Sequence, residues 1–437
     1  MLRHLDKVLF GLALAGLVLA YGLAAGRFDL FPAPQINTAL DVARDWRSHW
    51  RHHLRLRPDQ MLEPARFEGD GVVVHEPART QAGPTLLAGL WGETLGFRLV
   101  AMDGSPLHDW DISVNEIFPD QSHLEQPLHD WDTLMHGMHI FSNGDIVFNF
   151  EGIGVARIDA CGDVVWRQPN YGHHSVFVDE DGAIWISGSV GEQDLKTDLP
   201  GITTPVYDEL IVQLGPDGET LRQISILDAI YGSGREGLLL ARGSDDNAHR
   251  EASGPDLMHL NDVEVLGSEL ADAFPQFAAG DIMISLRNVN AILVLDGETE
   301  LVKWSMSGPF VAQHDADFLP DGKIAVFDNA RYDGYWADRT PQSRILVIDP
   351  VSQDVEIAYG RDSSEAFYTK HLGKQQFLPN GNILISESQA GRALEVTPDR
   401  DIVWAFVNRW DEARTAWLVE GQRLTPDYLA RDFARCD

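Results

Sequence analysis

Four histidines, His136, His174, His259 and His314, recur along this chain in matching local settings. Three of them stand eight residues before the glycine of an Asn-Gly or Asp-Gly turn, at Gly144, Gly182 and Gly322. An insertion breaks that spacing after His259. A neutral imidazole can attack an electrophile, leave again, and pass a proton near neutral pH. Histidines that return in register are therefore either the signature of a repeated fold or parts of one converging site. Two of them carry additions that repetition alone does not require. His259 lies in Met258-His259-Leu260-Asn261, and the H-x-N spacing turns both side chains to one face of a strand. His314 lies in Gln313-His314-Asp315-Ala316-Asp317. Arg287 lies in Ile284-Ser285-Leu286-Arg287-Asn288, in the same unit as His259.

The elements that must hold these residues are short and β-rich. From about residue 69, apolar runs alternate with Asn-Gly, Asp-Gly and Pro-Asp-Gly turns, which is hairpin chemistry. The runs group into units: Gly71 to Trp110, His136 to Trp166, units opening at His174, His259 and His314, and a last one from Lys374 to Phe406. Each offers about four strands in roughly 35–50 residues, the period of a β-propeller blade. Six units predict an all-β fold, a six-bladed β-propeller over 69–408, with the first strand of each blade lining a central channel. The repeated histidines then point toward the axis at one end. Insertions at 189–208 and 228–256 read as loops over one face. The tail 409–437, with Trp410, Trp417 and Tyr428, reads as helical and as a brace for the last blade.

The chain has 437 residues, 44% of them apolar, enough for a large core. Its net charge is -33 and unevenly placed: residues 1–60 sum to +3 and the remainder to -36. So acidic a body lacks the basic footprint of a nucleic-acid binder. Val8 to Gly26 is a 19-residue run without charge, preceded by Arg3 and Lys7. At ~1.5 Å per residue it reaches across the ~30 Å of a bilayer's hydrocarbon. The sequence thus predicts an N-terminal transmembrane helix within 1–26, with the basic end cytoplasmic and the body on the periplasmic side of the inner membrane. A cleaved signal peptide is the other reading, since Ala24-Ala25-Gly26 offers small residues for processing. Residues 27–68 read as a linker, helical in pattern from Asn37 to Arg57, with Trp46 and Trp50 among arginines. That composition suits a helix on a lipid surface or one packed on the domain. Cys161 and Cys436 either pair at long range or stay as two thiols. No cysteine cluster and no carboxylate-and-histidine spacing marks a metal, and no cofactor is expected.

The H-x-N run, the Arg287 run and Gln313-His314-Asp315-Ala316 occur together with Tyr171-Gly172-His173-His174. The first unit adds Gly83-Pro84-Thr85-Leu86-Leu87 and a D-G-x-x-x-H-x-W run ending at Trp110. Over roughly residues 69–408 the combination resembles the bacterial arylsulfotransferases that do not use the nucleotide sulfate donor PAPS. The resemblance implies a sulfotransferase in which a channel histidine attacks an aryl sulfate, is transiently sulfated, and passes the sulfuryl group to a phenolic acceptor. His314 matches the nucleophile, and His174, His259, Asn261 and Arg287 match the sulfate-binding shell. The residue types suit that chemistry. Arg287 offers a planar fork of donors for sulfate oxygens. His174 and His259 can donate to charge developing on the transferred group, and one of them can protonate the departing phenolate. The chain departs from the family in three places. A membrane helix stands where members have a β-rich N-terminal region, no close cysteine pair lies near His314, and His136 is an additional channel histidine. His136 and His173 read as structural, with His136 capping a neighbouring blade's backbone. Asp315 and Asp317 read as strand-face or loop-capping residues, with Asp315 placed to orient an imidazole.

Two other functions compete. A propeller that keeps the site without using it would be a membrane-anchored binding or assembly subunit, in keeping with the anchor and the basic Trp-rich helix. A quinoprotein-like dehydrogenase is suggested by D-x-x-G-x-x-x-W runs such as Asp159 to Trp166, although those propellers usually carry more blades than the six units visible here.

Overall fold

A computed structural model describes residues 5–28, 30–191, 194–202, 205–240, 256–331, 342–360, 365–430 and 436. The chain divides into two compact units, Met1–Gln60 and Met61–Asp437. The first holds two helices, Leu5–Phe28 and Ala33–His53. Lys7–Phe28 is 22 residues long and apolar enough to cross a membrane, a test that a signal sequence also passes. Phe10, Leu17 and Leu23 on this helix are exposed, as side chains that face hydrocarbon would be. The second helix breaks at His49, where φ is -122°. It leaves Trp46 and Trp50 exposed, with the Arg51 guanidinium 4.5 Å over the Trp50 ring.

The second unit is a six-bladed β-propeller of antiparallel sheets. The innermost strands are Leu418–Arg423, Met135–Ile140, His173–Val178, Leu260–Val265, His314–Phe318 and Lys374–Phe377 for blades one to six. Each lies beside the inner strands of its two neighbours, so the six close a ring around the channel. The second strands Ile146–Phe150, Ile282–Leu286 and Ile324–Asp328 are buried along their whole length. Their near-continuous apolar runs are what a strand covered on both faces requires.

Tryptophans in the outer strands tie blade to blade. The indole Nε1 of Trp110, Trp166, Trp304 and Trp404 donates to the carbonyls of Ala160, Pro216, Pro350 and Met102 at 3.0, 3.0, 2.9 and 2.9 Å. Each of these carbonyls lies in the next blade. A four-stranded unit cannot cover its own faces, and a buried ring with one polar edge both fills and locks the join. The tryptophan of the Asp159-to-Trp166 run thus has a structural duty of its own.

Ring closure departs from the sequence reading. Gly71 to Trp110 does not form one blade. Gly71–His75 adds a fifth strand to blade six beside Ile402–Val407, and Thr85–Ile112 supplies three strands of blade one. The inner strand of blade one comes from the tail: Leu418–Arg423 pairs with Thr85–Gly89. The tail is therefore not the predicted helix. Thr415 to Val419 is rich in β-branched and aromatic residues, which favour strand when a free edge is there to receive them. Joining both ends of the unit in this way covers the inner edge of Thr85–Trp91, which would otherwise stay open. Arg414–Ala416 also pairs with Leu62–Pro64. In the second insertion, Ile226–Gly232 and Glu236–Leu240 are helical, and residues 241–255 lie outside the described ones.

Cys161 and Cys436 are joined in a disulfide across 275 residues, fixing the tail to blade two. Cys436→Ser is expected to lower the unfolding free energy by about 2–4 kcal/mol, since the crosslink restricts the unfolded chain. Denaturant titration of the oxidised protein and the variant reads this directly. A difference below about 0.5 kcal/mol would mean that the bridge restrains nothing.

Candidate functional site

The inner strands of blades two to five all break register near the same channel mouth. The breaks fall between His136 and Met138, His173 and Val176, Leu260 and Asp262, and His314 and Ala316. Left-handed backbone accompanies them at Gly137 (φ 76°), His174 (53°), His259 (56°) and Asp315 (51°). For a residue with a side chain this conformation costs on the order of 1–3 kcal/mol, and bulges of this kind re-aim side chains. Gly137 has no alternative: a Cβ there would meet the His174 carbonyl oxygen at 2.1 Å. The result is convergence. The His174 ring centroid lies 4.3 Å from that of His136, 4.7 Å from His259 and 6.1 Å from His314.

Each histidine is held by a different partner, and the partners separate their roles. His314 Nδ1 lies 2.7 Å from Asn329 Oδ1. Asn329 Nδ2 donates to the carbonyls of Thr369 and Leu372 at 3.0 and 2.7 Å, which fixes the amide's orientation. Its oxygen must then face the imidazole, so Nδ1 carries the hydrogen and Nε2 keeps its lone pair, an assignment made from the network. Burial, followed by the positive charge of Arg287, holds His314 well below the usual histidine range. His314 is thus a neutral imidazole with a free electron pair.

His136 and His259 are paired with carboxylates instead. His136 Nδ1 lies 3.1 Å from Glu151 Oε2, and His259 Nδ1 lies 2.6 Å from Asp256 Oδ2. Burial pushes the Glu151 carboxyl up, but the hydrogen bond and charge of His136, with His173 and His259, outweigh it and hold it at about 2. His259 Nε2 and His174 Nε2 are 3.2 Å apart and share a hydrogen bond. His173 is part of the same chain, with its Nδ1 3.0 Å from His174 Nδ1. Arg287 follows the second strand of blade four. Its Nε donates to Asn288 Oδ1 at 3.1 Å, and its backbone N–H bonds the His259 carbonyl at 3.0 Å.

The structure brings together His174, His259, Arg287 and His314, and it changes the reading of three other residues. Asn261 is the bulged residue of its strand. Its Nδ2 donates to the Gln313 carbonyl at 2.6 Å, and its buried Oδ1 has no partner among the described residues. His136 has a carboxylate partner where the sequence expected a backbone one. Asp315 orients no imidazole; it binds Lys374 Nζ at 2.6 Å and accepts from the Gln375 backbone N–H, joining blades five and six. Gln313 is fully buried and donates to Ser285 Oγ and to the Leu286 and Ala291 carbonyls, anchoring His314 to blade four.

Further along the same inner strands, Asp262, Glu264, Asp315, Asp317 and Glu420 surround Lys374 beside a cavity of about 410 Å³. Burial raises Asp262 to about 6 and Glu420 to about 7, against the pull of Lys374. Carboxyls raised in this way share protons around Lys374 and do not resemble the histidine layer above them.

Sequence reasoning missed Glu151, Asn329 and Asp256. A signal for the first two existed. Each stands 15 residues after its histidine, at the same place two residues beyond the cross-strand partner. Asp256 closes the 228–256 insertion, three residues before His259.

Residues 137–409, well over half of the chain, match the family model described as arylsulfotransferase (ASST). The chain belongs to the arylsulfotransferase family. The region matched to the arylsulfotransferases contains His174, His259, Asn261, Arg287 and His314, and it begins one residue after His136. Membership makes this a sulfotransferase-like enzyme of the class that works between aryl sulfates and phenols. No curated protein sequence matches the chain. Among solved structures it is similar to a protein of unknown function from Bacteroides caccae, at 11% identity and a TM-score of 0.47 over 76% of this chain and 97% of that one. It is also similar to a streptogramin B lyase, at 13% identity and a TM-score of 0.41 over 80% of this chain and 88% of that one. A catalytically inactive virginiamycin B lyase variant from Staphylococcus aureus with quinupristin follows, at 11% and 0.36 over 64% and 72%. Kinship rests on the arylsulfotransferase match and not on these distant likenesses.

Proposed function

We propose that this arylsulfotransferase moves a sulfuryl group from a phenolic sulfate to a phenolic acceptor through a sulfated His314. The observation that carries the proposal is the His314–Asn329 pair. An amide partner fixes the tautomer without adding charge, which leaves Nε2 nucleophilic and also able to leave. In the first step Nε2 attacks sulfur and the bond from sulfur to the aryl oxygen breaks. The second proton of His259, an imidazolium held by Asp256 that shares its Nε2 hydrogen with His174, goes to the departing phenolate. Arg287 holds the sulfuryl oxygens, and Asn261, through the Gln313 carbonyl, steadies the strand start that carries His314. In the second step the acceptor phenol returns a proton to the same pair. Its oxygen attacks sulfur, the nitrogen–sulfur bond breaks, and neutral His314 is restored.

The neighbouring His136 and His259 lack this combination. His136 and His259 each have an anionic partner, which favours proton transfer over departure of a neutral leaving group. We place the propeller on the periplasmic side of the inner membrane, held by Lys7–Phe28; a disulfide at Cys161–Cys436 favours an oxidising compartment. The test is to add a chromogenic aryl sulfate without acceptor, quench, and analyse peptides by mass spectrometry. One sulfuryl group on the peptide carrying His314 is expected. Phenol release with no modified peptide, or modification at another residue, would overturn the covalent route.

A further inference from the structure

We propose that His136, Glu151 and His174 form a divalent transition-metal site in the channel mouth, beside His314. Two imidazoles and one carboxylate are the protein ligands of a common type of catalytic zinc site, which keeps a further position open. One ligand atom from each of the three residues lies within 4.8 Å of the others. Glu151 reaches both imidazoles, with Oε2 3.1 Å from His136 Nδ1 and Oε1 3.4 Å from His174 Nδ1. Ligands held at ~2.0–2.2 Å around a tetrahedral ion stand about 3.3–3.6 Å apart, so the two Glu151 contacts already lie close to that spacing.

The hydrogen-bond chain points the same way. When His259 carries a single hydrogen it is on Nδ1, toward Asp256, and Nε2 is then an acceptor. His174 must then donate from Nε2, so its Nδ1 is bare. That bare nitrogen faces a carboxylate oxygen at 3.4 Å. Two electron-pair donors that face each other at this distance give a cation a place to bind. In the metal-free protein His173, with its Nδ1 3.0 Å from the same nitrogen, supplies a hydrogen to it. A metal takes that place and the place of the proton between His136 and Glu151.

The ligands are positioned without the ion. Gly137 lets blades two and three approach as no other residue could, and Asn149 Nδ2 donates to the His173, His174 and Ser175 carbonyls at 3.2, 3.3 and 3.0 Å. His174 Nε2, bonded to the His259–Asp256 pair, has the outer partner that metal-bound histidines usually have. Two nitrogens and one oxygen favour zinc, cobalt or manganese over calcium and magnesium. Bound here, the ion's open position takes water or a sulfate oxygen. That last role rests on the sulfuryl-transfer reading; the binding itself does not.

The full chain in detergent, free of affinity tag and stripped by chelator, should bind one Zn²⁺ in calorimetric titration, and Co²⁺ should give a visible absorption band. His136→Gln and Glu151→Gln should each weaken Zn²⁺ at least about tenfold while keeping the circular dichroism of the parent. His314→Ala should bind Zn²⁺ like the parent, which separates the metal site from the transfer reaction. No stoichiometric Zn²⁺ in the parent, or parent-like affinity in both ligand variants, overturns the site. Sulfuryl transfer that persists in a protein shown to bind no metal would overturn the site and leave the transfer mechanism standing.

Discussion

His314→Ala is expected to cut sulfuryl transfer by a factor on the order of 10⁴ or more, with the propeller still folded. The size of the effect follows from the absence of a substitute. His174 and His259 have their Nε2 atoms turned on each other, and His136 is held by Glu151. None of the three combines an unshared Nε2 with an uncharged partner as His314 does. Binding and oxyanion contacts remain, so a residue of rate over the uncatalysed reaction survives, as in other enzymes stripped of a nucleophile. The cost in stability is smaller. Asn329 Oδ1 loses its partner, worth roughly 1–3 kcal/mol, while Asn329 Nδ2 keeps the two bonds it donates. Transfer from a chromogenic aryl sulfate to a phenol, followed at matched circular dichroism, measures this. Activity above about one tenth of the parent's would remove His314 from the chemistry.

Arg423→Met should destabilise the protein by about 3–5 kcal/mol, because it strands a buried carboxylate. Arg423 lies in the tail strand of blade one and Glu395 in blade six; their side chains are 1% and 0% exposed and 2.7 Å apart. Arg423 Nε also donates to Thr85 Oγ1 at 2.9 Å. Glu395 keeps bonds from the Gln81 backbone N–H and Asn382 Nδ2, but an uncompensated charge in that place is costly. The double variant Arg423→Met, Glu395→Leu should recover much of the loss, since paired apolar replacements of buried ion pairs are often close to neutral. Urea unfolding of parent, single and double variants checks both statements. A loss below about 1 kcal/mol in the single variant would show that the seam does not depend on this pair.

The sequence made the blades legible because their turns and apolar runs repeat, and local chemistry sets both. It made His314, His259, His174 and Arg287 legible because they stand out against that repeat. The seam was hidden for the opposite reason. Leu418–Arg423 pairs with Thr85–Gly89 across more than three hundred residues, and no short-range pattern records such a pairing. The tail also lacks the Asn-Gly turns that betray a blade. Glu151 and Asn329 were hidden in plain repeats: one is a carboxylate and the other an amide, so their shared offset looked like chance. Asp256 sat inside an insertion whose fold no periodicity predicts.

The strand that closes blade one follows every other propeller strand in the chain. As the chain emerges from synthesis or export, Thr85–Trp91 shows an unpaired strand edge until residues beyond Arg423 are out. The parts of the site, His136 to Asn329, are all present well before that moment, on blades two to five. A nascent propeller thus carries its chemistry while still mechanically open, and its adhesive edge stays bare until Leu418–Arg423 arrives to cover it.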